Sequence, residues 1–378
     1  MNDIMVDTEQ PRQTQRPDDE KQAARVHRSP WKRLAVSLVT LILALPVAEF
    51  VSRFLISDED LNVIRYSTMT FHVNDGYELI PNTEEDGVRI NSTGHRDREI
   101  QAVNTATRIL MLGDSIVFGP GVAQEDTFPK QAEEFLTAEC INGGNPDTGI
   151  REQIRIFKKR DLPLSPDIVL CCFYMNDSRP PAGFRSEFVK GNPIVRFTKR
   201  FPWTRRSMVY SMLYRFYFSW AIADEASRLP VSRRMEWLEI FQQENWRGDP
   251  DTLQDLIDAA QYDWGAAWKP ETWPEVESQL NQLNQLCTHH NIRPALVAMP
   301  VSVQVNAETE RREPQEELKN IADEMNWPFL DLLDGLKRAN EGEDLFIDQC
   351  HLTVRGHRVV AKQVAEFVKK QGWDGGVE

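Results

Sequence analysis

Three rhythms of hydrophobic and polar positions divide the chain. Residues 1–33 are polar and charged, with neither a helical nor a strand period, and are read as a disordered tail. From Leu34 to Ile56 the sequence turns apolar for twenty-three residues. At about 1.5 Å per residue such a helix covers the roughly 30 Å core of a bilayer, so a transmembrane anchor is expected. Glu49 and Arg53 interrupt the run near its far end, four residues apart, where they can pair or snorkel to the interface. Residues 57–107 are mixed and turn-rich, with a short strand and turn expected in Val88-Arg-Ile-Asn-Ser-Thr-Gly-His-Arg-Asp97.

From Arg108 onward, short apolar runs alternate with amphipathic segments, which predicts an α/β domain over residues 57–378. Strands are expected at 108–112, in a segment ending at Ile141, and at 167–174, 293–300 and 328–333. Helices are expected at about 127–139, 150–160, 275–289 and 353–370, with Thr353 as the N-cap of the last. Between Asn176 and Thr272 this alternation stops. Residues 178–272 are aromatic and basic at first, then acidic and rich in tryptophan, and are far longer than an ordinary connection. They read as an inserted helical element: either a cap over the site or a decoration packed on its own tryptophans.

Charge narrows the partners. A net charge of −14 and a pI near 5.1 argue against nucleic acid, whose phosphates need a basic face. Arg25, Arg28, Lys32 and Arg33 precede the apolar run, so the positive-inside rule places the N-terminus in the cytoplasm and the domain on the other side, periplasmic in a Gram-negative cell. A cleaved signal peptide is the rival reading, set against a long charged leader without a clean Ala-x-Ala site, and a buried helix of a soluble domain is the third. Five cysteines without CxxC spacing supply no disulfide framework, and Cys171 and Cys172 read as small buried residues of a strand. With no HExxH and scattered histidines, no metal ligand set is expected.

The candidate chemistry begins where the first expected strand of the domain stops, at Gly113-Asp114-Ser115. Catalytic groups of open α/β sheets gather at such strand ends. A serine hydroxyl needs a base, and the base an orienting carboxylate; Asp348-x-x-His351 can supply both from one turn. His95 and His357 compete as base, although a lone histidine in a turn is more often solvated; His289 and His290 read as surface residues. Oxyanion donors are expected from the backbone N–H of Ser115 and Gly144 and from the side-chain amide of Asn176.

Taken together, Gly113-Asp114-Ser115, Asn142-x-Gly144, Asn176-Asp177 and Asp348-x-x-His351 resemble the motif blocks of the SGNH (GDSL-type) hydrolase family, over roughly residues 85–370. Ile90-Asn-Ser-Thr-Gly-His-Arg96 is similar to a lead-in of its membrane-anchored bacterial members. Tyr174 and Asp147 stand where many members place glycine. The resemblance implies a flavodoxin-like three-layer α/β/α sandwich with a parallel sheet, no cofactor, and a Ser115-His351-Asp348 triad with Ser115, Gly144 and Asn176 as the oxyanion hole. The expected activity is hydrolysis of an acyl ester, acetyl among the candidates, on a carbohydrate or lipid through an acyl-enzyme. Transfer of the acyl group to a cell-envelope polysaccharide and a non-catalytic scaffold are the alternatives.

Overall fold

The computed structural model describes residues 30–55, most of 70–178, isolated positions between 194 and 213, and 237–375 except 341–343. The chain forms two compact units, Met1–Ile56 and Ser57–Glu378. Most of the expected tail lies outside the described residues. The first unit holds one helix, α1 (Pro30–Leu55), which begins four residues earlier than the apolar run because Trp31, Lys32 and Arg33 join its first turn. Leu34, Val36, Leu43, Leu45 and Val51 are exposed on it, so apolar groups face outward in several directions. Among the described residues no helix is long and apolar enough to cross a membrane. α1 itself is continuous over 26 residues, and Leu34–Val51 carries one ionisable side chain, Glu49.

The second unit opens with two antiparallel hairpins, β1 (Thr70–Val73) with β2 (Gly76–Leu79), and β3 (Thr83–Glu85) with β4 (Val88–Ile90). Its centre is a five-stranded parallel sheet made of β5 (Arg108–Gly113), β6 (Glu139–Gly144), β7 (Ile168–Tyr174), β8 (Arg293–Met299) and β9 (Phe329–Asp331). Every residue of β5 and β7 is buried, as expected of strands covered on both faces. Their continuous apolar runs follow from that double burial.

The spatial order β6-β5-β7-β8-β9 reverses direction beside β5. Helices cover both faces, giving the three-layer α/β/α arrangement. α3 (Phe128–Glu133) and the last helix, α11 (Val354–Lys370), pack together on one face. α4 (Ile150–Ile156) and α7 (Trp273–His289) pack together on the other. Chain order places α2 (Ser115–Phe118) between β5 and α3, α5 (Trp237–Gln243) and α6 (Pro250–Ala259) before α7, α8 (Ser302–Asn306) and α9 (Glu313–Glu324) after β8, and α10 (Leu333–Ala339) before α11.

The helix expected over 127–139 stops at Glu133. β6 has to begin at Glu139 to pair with Arg108, and the Glu139 carboxylate meets Arg108 Nε at 2.7 Å. Residues 134–138 are consumed in reaching that register. Thr353 caps α11 as expected, its hydroxyl accepting from the Gly356 N–H at 3.1 Å.

Of the insertion, residues 237–272 and isolated positions between 194 and 213 are described; the rest, 179–193 and 214–236 included, lies outside the described residues. Trp237, Trp246 and Trp264 are buried in the same core as β7, and Trp237 meets Trp264 edge-on with centroids 5.6 Å apart. The turn Trp264–Trp268 packs against Met175–Ser178, the turn that follows β7. This part of the insertion therefore buttresses a sheet end.

Candidate active site

The site lies at the carboxyl ends of β5 and β7, beside the point where the strand order reverses, the usual crevice of an open α/β sheet. β5 ends at Gly113, and Ser115 starts the single-turn helix α2. Asp114, fully buried, caps that turn by accepting the Ile116 N–H at 2.9 Å. At the other end Gly119 is left-handed, φ 78°, and its N–H returns to the Ser115 carbonyl at 2.9 Å. Buried Arg96 closes the far side, donating to the carbonyls of Phe118 at 2.9 Å, Gly119 and Val122. Its guanidinium also sits 5.1 Å from the Phe118 ring centroid. Arg96 and Asp114 stand within the motif blocks quoted above, but no role for either was legible there, because their partners are backbone groups brought near by the turn.

The structure brings Ser115, His351 and Asp348 together. His351 Nε2 is 3.1 Å from Ser115 Oγ, and His351 Nδ1 is 2.7 Å from Asp348 Oδ2. Asp348 Oδ1 also accepts the backbone N–H groups of Cys350 at 2.8 Å and His351 at 2.7 Å. Burial works against ionisation of Asp348, but the His351 ring and these two N–H groups outweigh it and hold its carboxyl well below the usual carboxylate range. An ionised carboxylate only accepts, so Nδ1 carries the imidazole proton and the Nε2 lone pair is left for the Ser115 hydroxyl. The loop is closed by a bridge between Phe346 and Leu352, by Ile347 N–H to His351 O at 2.8 Å, and by Ser302 Oγ to Gln349 O at 2.5 Å. Ser115 and His351 remain partly open to solvent.

The expected oxyanion donors are placed less uniformly. Gly144 ends β6 opposite Gly113, but its N–H already donates to Asn142 Oδ1 at 3.0 Å. A Cβ at Gly144 would stand 2.2 Å from Phe118 N and 2.7 Å from the Val117 carbonyl carbon. Here the missing side chain admits the backbone of α2, which fills the space where close approach of a substrate was expected. Asn176 lies one strand over, in the turn after β7, and its Oδ1 is buried without a hydrogen-bond partner among the described residues. That turn is held by Asp177, whose carboxylate accepts the Tyr174 N–H at 3.1 Å and Gln153 Nε2 at 2.8 Å.

The two competing histidines have structural surroundings. His95, expected to be solvated, is fully buried: Nε2 is 2.9 Å from Asp161 and Nδ1 2.9 Å from Thr93 Oγ1. Burial and the neighbouring Arg160 lower its pKa. His357 accepts the Phe128 N–H at Nδ1, 3.1 Å away, and burial together with the Arg96 and His351 charges lowers its pKa to about 3. His289 and His290 are exposed. Cys140, Cys171, Cys172 and Cys287 are buried free thiols, and burial raises their pKa values. Cys350, not singled out in the sequence, is a partly buried free thiol inside the triad loop. Asp348, Cys350 and His351 are also the one set of three potential metal ligands among the described residues.

No family model matches the chain, and no curated protein matches it. Solved structures do resemble it in layout. One is a lipolytic protein of the G-D-S-L family from Desulfitobacterium hafniense DCB-2, 15% identical with a TM-score of 0.34, the match covering 69% of this chain and 99% of that one. Another is Axe2, an acetylxylan esterase from Geobacillus stearothermophilus, 13% identical with a TM-score of 0.39, over 71% of this chain and 96% of that one. A third is LAE5, an α/β hydrolase from the metagenome of Lake Arreo, 14% identical with a TM-score of 0.40, over 73% and 99%. These likenesses are too loose to transfer a residue or an activity, and the functional reading rests on the geometry of this chain.

Proposed function

We propose that the protein is a serine ester hydrolase of the SGNH type. Supporting this reading above all is the Ser115–His351–Asp348 relay, 3.1 Å and 2.7 Å long, at the reversal point of the sheet. His351 Nε2 takes the Ser115 proton as Oγ attacks the ester carbonyl, and the resulting imidazolium is stabilised by Asp348. The tetrahedral intermediate expels the alcohol, which receives the proton from Nε2. Water, activated by the same nitrogen, then cleaves the acyl-enzyme and regenerates Ser115. The Ser115 N–H and the Asn176 side-chain amide are the proposed oxyanion donors; Gly144 serves by letting α2 sit against β6. The proposed substrate class is an acyl ester, acetyl among the candidates, of a carbohydrate or lipid.

We also infer that α1 anchors this activity to a membrane, N-terminus on the cytoplasmic side. Support comes from the apolar stretch from Leu34 to Val51, whose single ionisable side chain is Glu49, and from the exposed apolar residues on several sides. Purified full-length chain in detergent should hydrolyse p-nitrophenyl acetate, and Ser115→Ala should abolish that turnover. Undiminished turnover by Ser115→Ala would refute the assignment of the nucleophile. Release of the chain from membranes by alkaline carbonate would refute the anchor without touching the chemistry.

A further inference from the structure

The triad loop carries one group that ester hydrolysis does not use, the Cys350 thiol. Its Sγ lies 3.4 Å from His351 Nδ1 and 3.7 Å from Nε2. Asp348 Oδ2 is 2.7 Å from Nδ1, and one ligand atom each from Asp348, Cys350 and His351 falls within 4.8 Å of the others. A carboxylate, a thiol and an imidazole are a mixed donor set suited to a borderline cation such as zinc. Zinc bonds of about 2.3 Å to sulfur and 2.0–2.1 Å to nitrogen put the two ligand atoms about 3.6 Å apart on a tetrahedral edge, close to the spacing present. The nearly equal distances to the two ring nitrogens set the sulfur over the ring face. The ring must therefore turn to present Nδ1, and Asp348 Oδ2 must open from 2.7 Å to about 3.3 Å, replacing its hydrogen bond by a metal bond.

We propose that Asp348, Cys350 and His351 form an inhibitory site for a thiophilic divalent cation, zinc being the representative. Its inhibitory consequence, though not the binding, rests on the serine-hydrolase reading. Binding releases the thiol proton to solvent as the thiolate–metal bond forms. The metal takes the Nδ1 lone-pair position, so the one proton of the neutral imidazole moves by way of solvent from Nδ1 to Nε2. Nε2 then donates and cannot accept from Ser115, and Asp348 no longer orients the ring. The same atoms that make the triad competent make it silent, and removal of the cation restores it with no net change in the protein.

The test uses the full-length chain in detergent with cobalt(II) and zinc(II) as probes. Cobalt(II) added to the wild type should give a thiolate-to-metal charge-transfer band in the near ultraviolet. Cys350→Ser should lack it; because the other four cysteines are buried, the band reports Cys350. Zinc should inhibit p-nitrophenyl acetate hydrolysis by the wild type, reversibly on chelation. Cys350→Ser should keep its turnover and need at least about tenfold more zinc, the lower end of what even an outer partner of a metal site contributes. Absence of the cobalt band in the wild type overturns the site whether or not the protein is an esterase. Equal zinc sensitivity of wild type and Cys350→Ser overturns the role of the thiol. A cobalt band in a protein without esterase activity would instead sink the hydrolase reading and leave the metal site standing.

Discussion

Gly144→Ala separates two explanations of a glycine at the end of β6. Alanine keeps the backbone N–H, so if Gly144 matters as a hydrogen-bond donor to substrate, the substitution should be nearly silent. The structure predicts otherwise. The added Cβ would lie 2.2 Å from Phe118 N, where an ordinary contact is about 3.5 Å, so α2 and β6 must separate by about 1.3 Å. Both neighbours are backbone, and no side-chain rotation relieves the clash. Overpacking of this kind costs about 1–3 kcal/mol of stability. Its larger consequence is catalytic, because α2 begins with Ser115, and displacing a reacting group by about 1 Å costs on the order of 10² in rate. Steady-state hydrolysis of p-nitrophenyl acetate should show the loss mainly in kcat, and urea unfolding should show a lowered midpoint. Wild-type kcat and midpoint together would refute the packing argument and return Gly144 to the donor role.

Three further outcomes follow from the same geometry. Asp348→Asn should lower kcat by about 10³–10⁴, because an amide donating to Nδ1 fixes the wrong tautomer; a loss under tenfold would mean the carboxylate does not orient the base. Arg96→Ala leaves three carbonyls of the turn behind Ser115 without their donor and should destabilise the fold by about 3 kcal/mol, read from the urea midpoint. His357 binds its proton far more weakly in the folded chain, with the pKa lowered from 6.5 to about 3, so its contribution is complete above about pH 6.5 and is lost as pH falls toward 3. Between pH 7 and pH 4 that loss is about 3 kcal/mol, and it should be missing from the urea midpoints of His357→Gln.

The sheet was legible because its central strands are buried on both faces and therefore appear as unbroken apolar runs, β5 and β7 above all. The pairing of Asp348 with His351 was legible because both sit on one short turn, where sequence spacing is nearly spatial spacing. What escaped were relations across the fold. Nothing near His95 announces Asp161, sixty-six residues away, which takes it out of water. The N–H of Gly144 was expected to face substrate, but Asn142, two residues before it, had already claimed the bond once α2 pressed against the strand end. Arg96 stands in the quoted lead-in, but its role is set only when the turn after Ser115 folds over it. Cys350 looked incidental because the ring it touches acquires its chemistry from Asp348 and Ser115.

Activation of Ser115 as a nucleophile by His351 is read out by a fluorophosphonate probe on the full-length chain, followed by mass spectrometry of the labelled peptide. Rapid, stoichiometric labelling of Ser115 is predicted, abolished by Ser115→Ala and slowed by orders of magnitude in His351→Ala. Ester turnover that proceeds while Ser115 stays unlabelled would rule out Ser115 as the nucleophile.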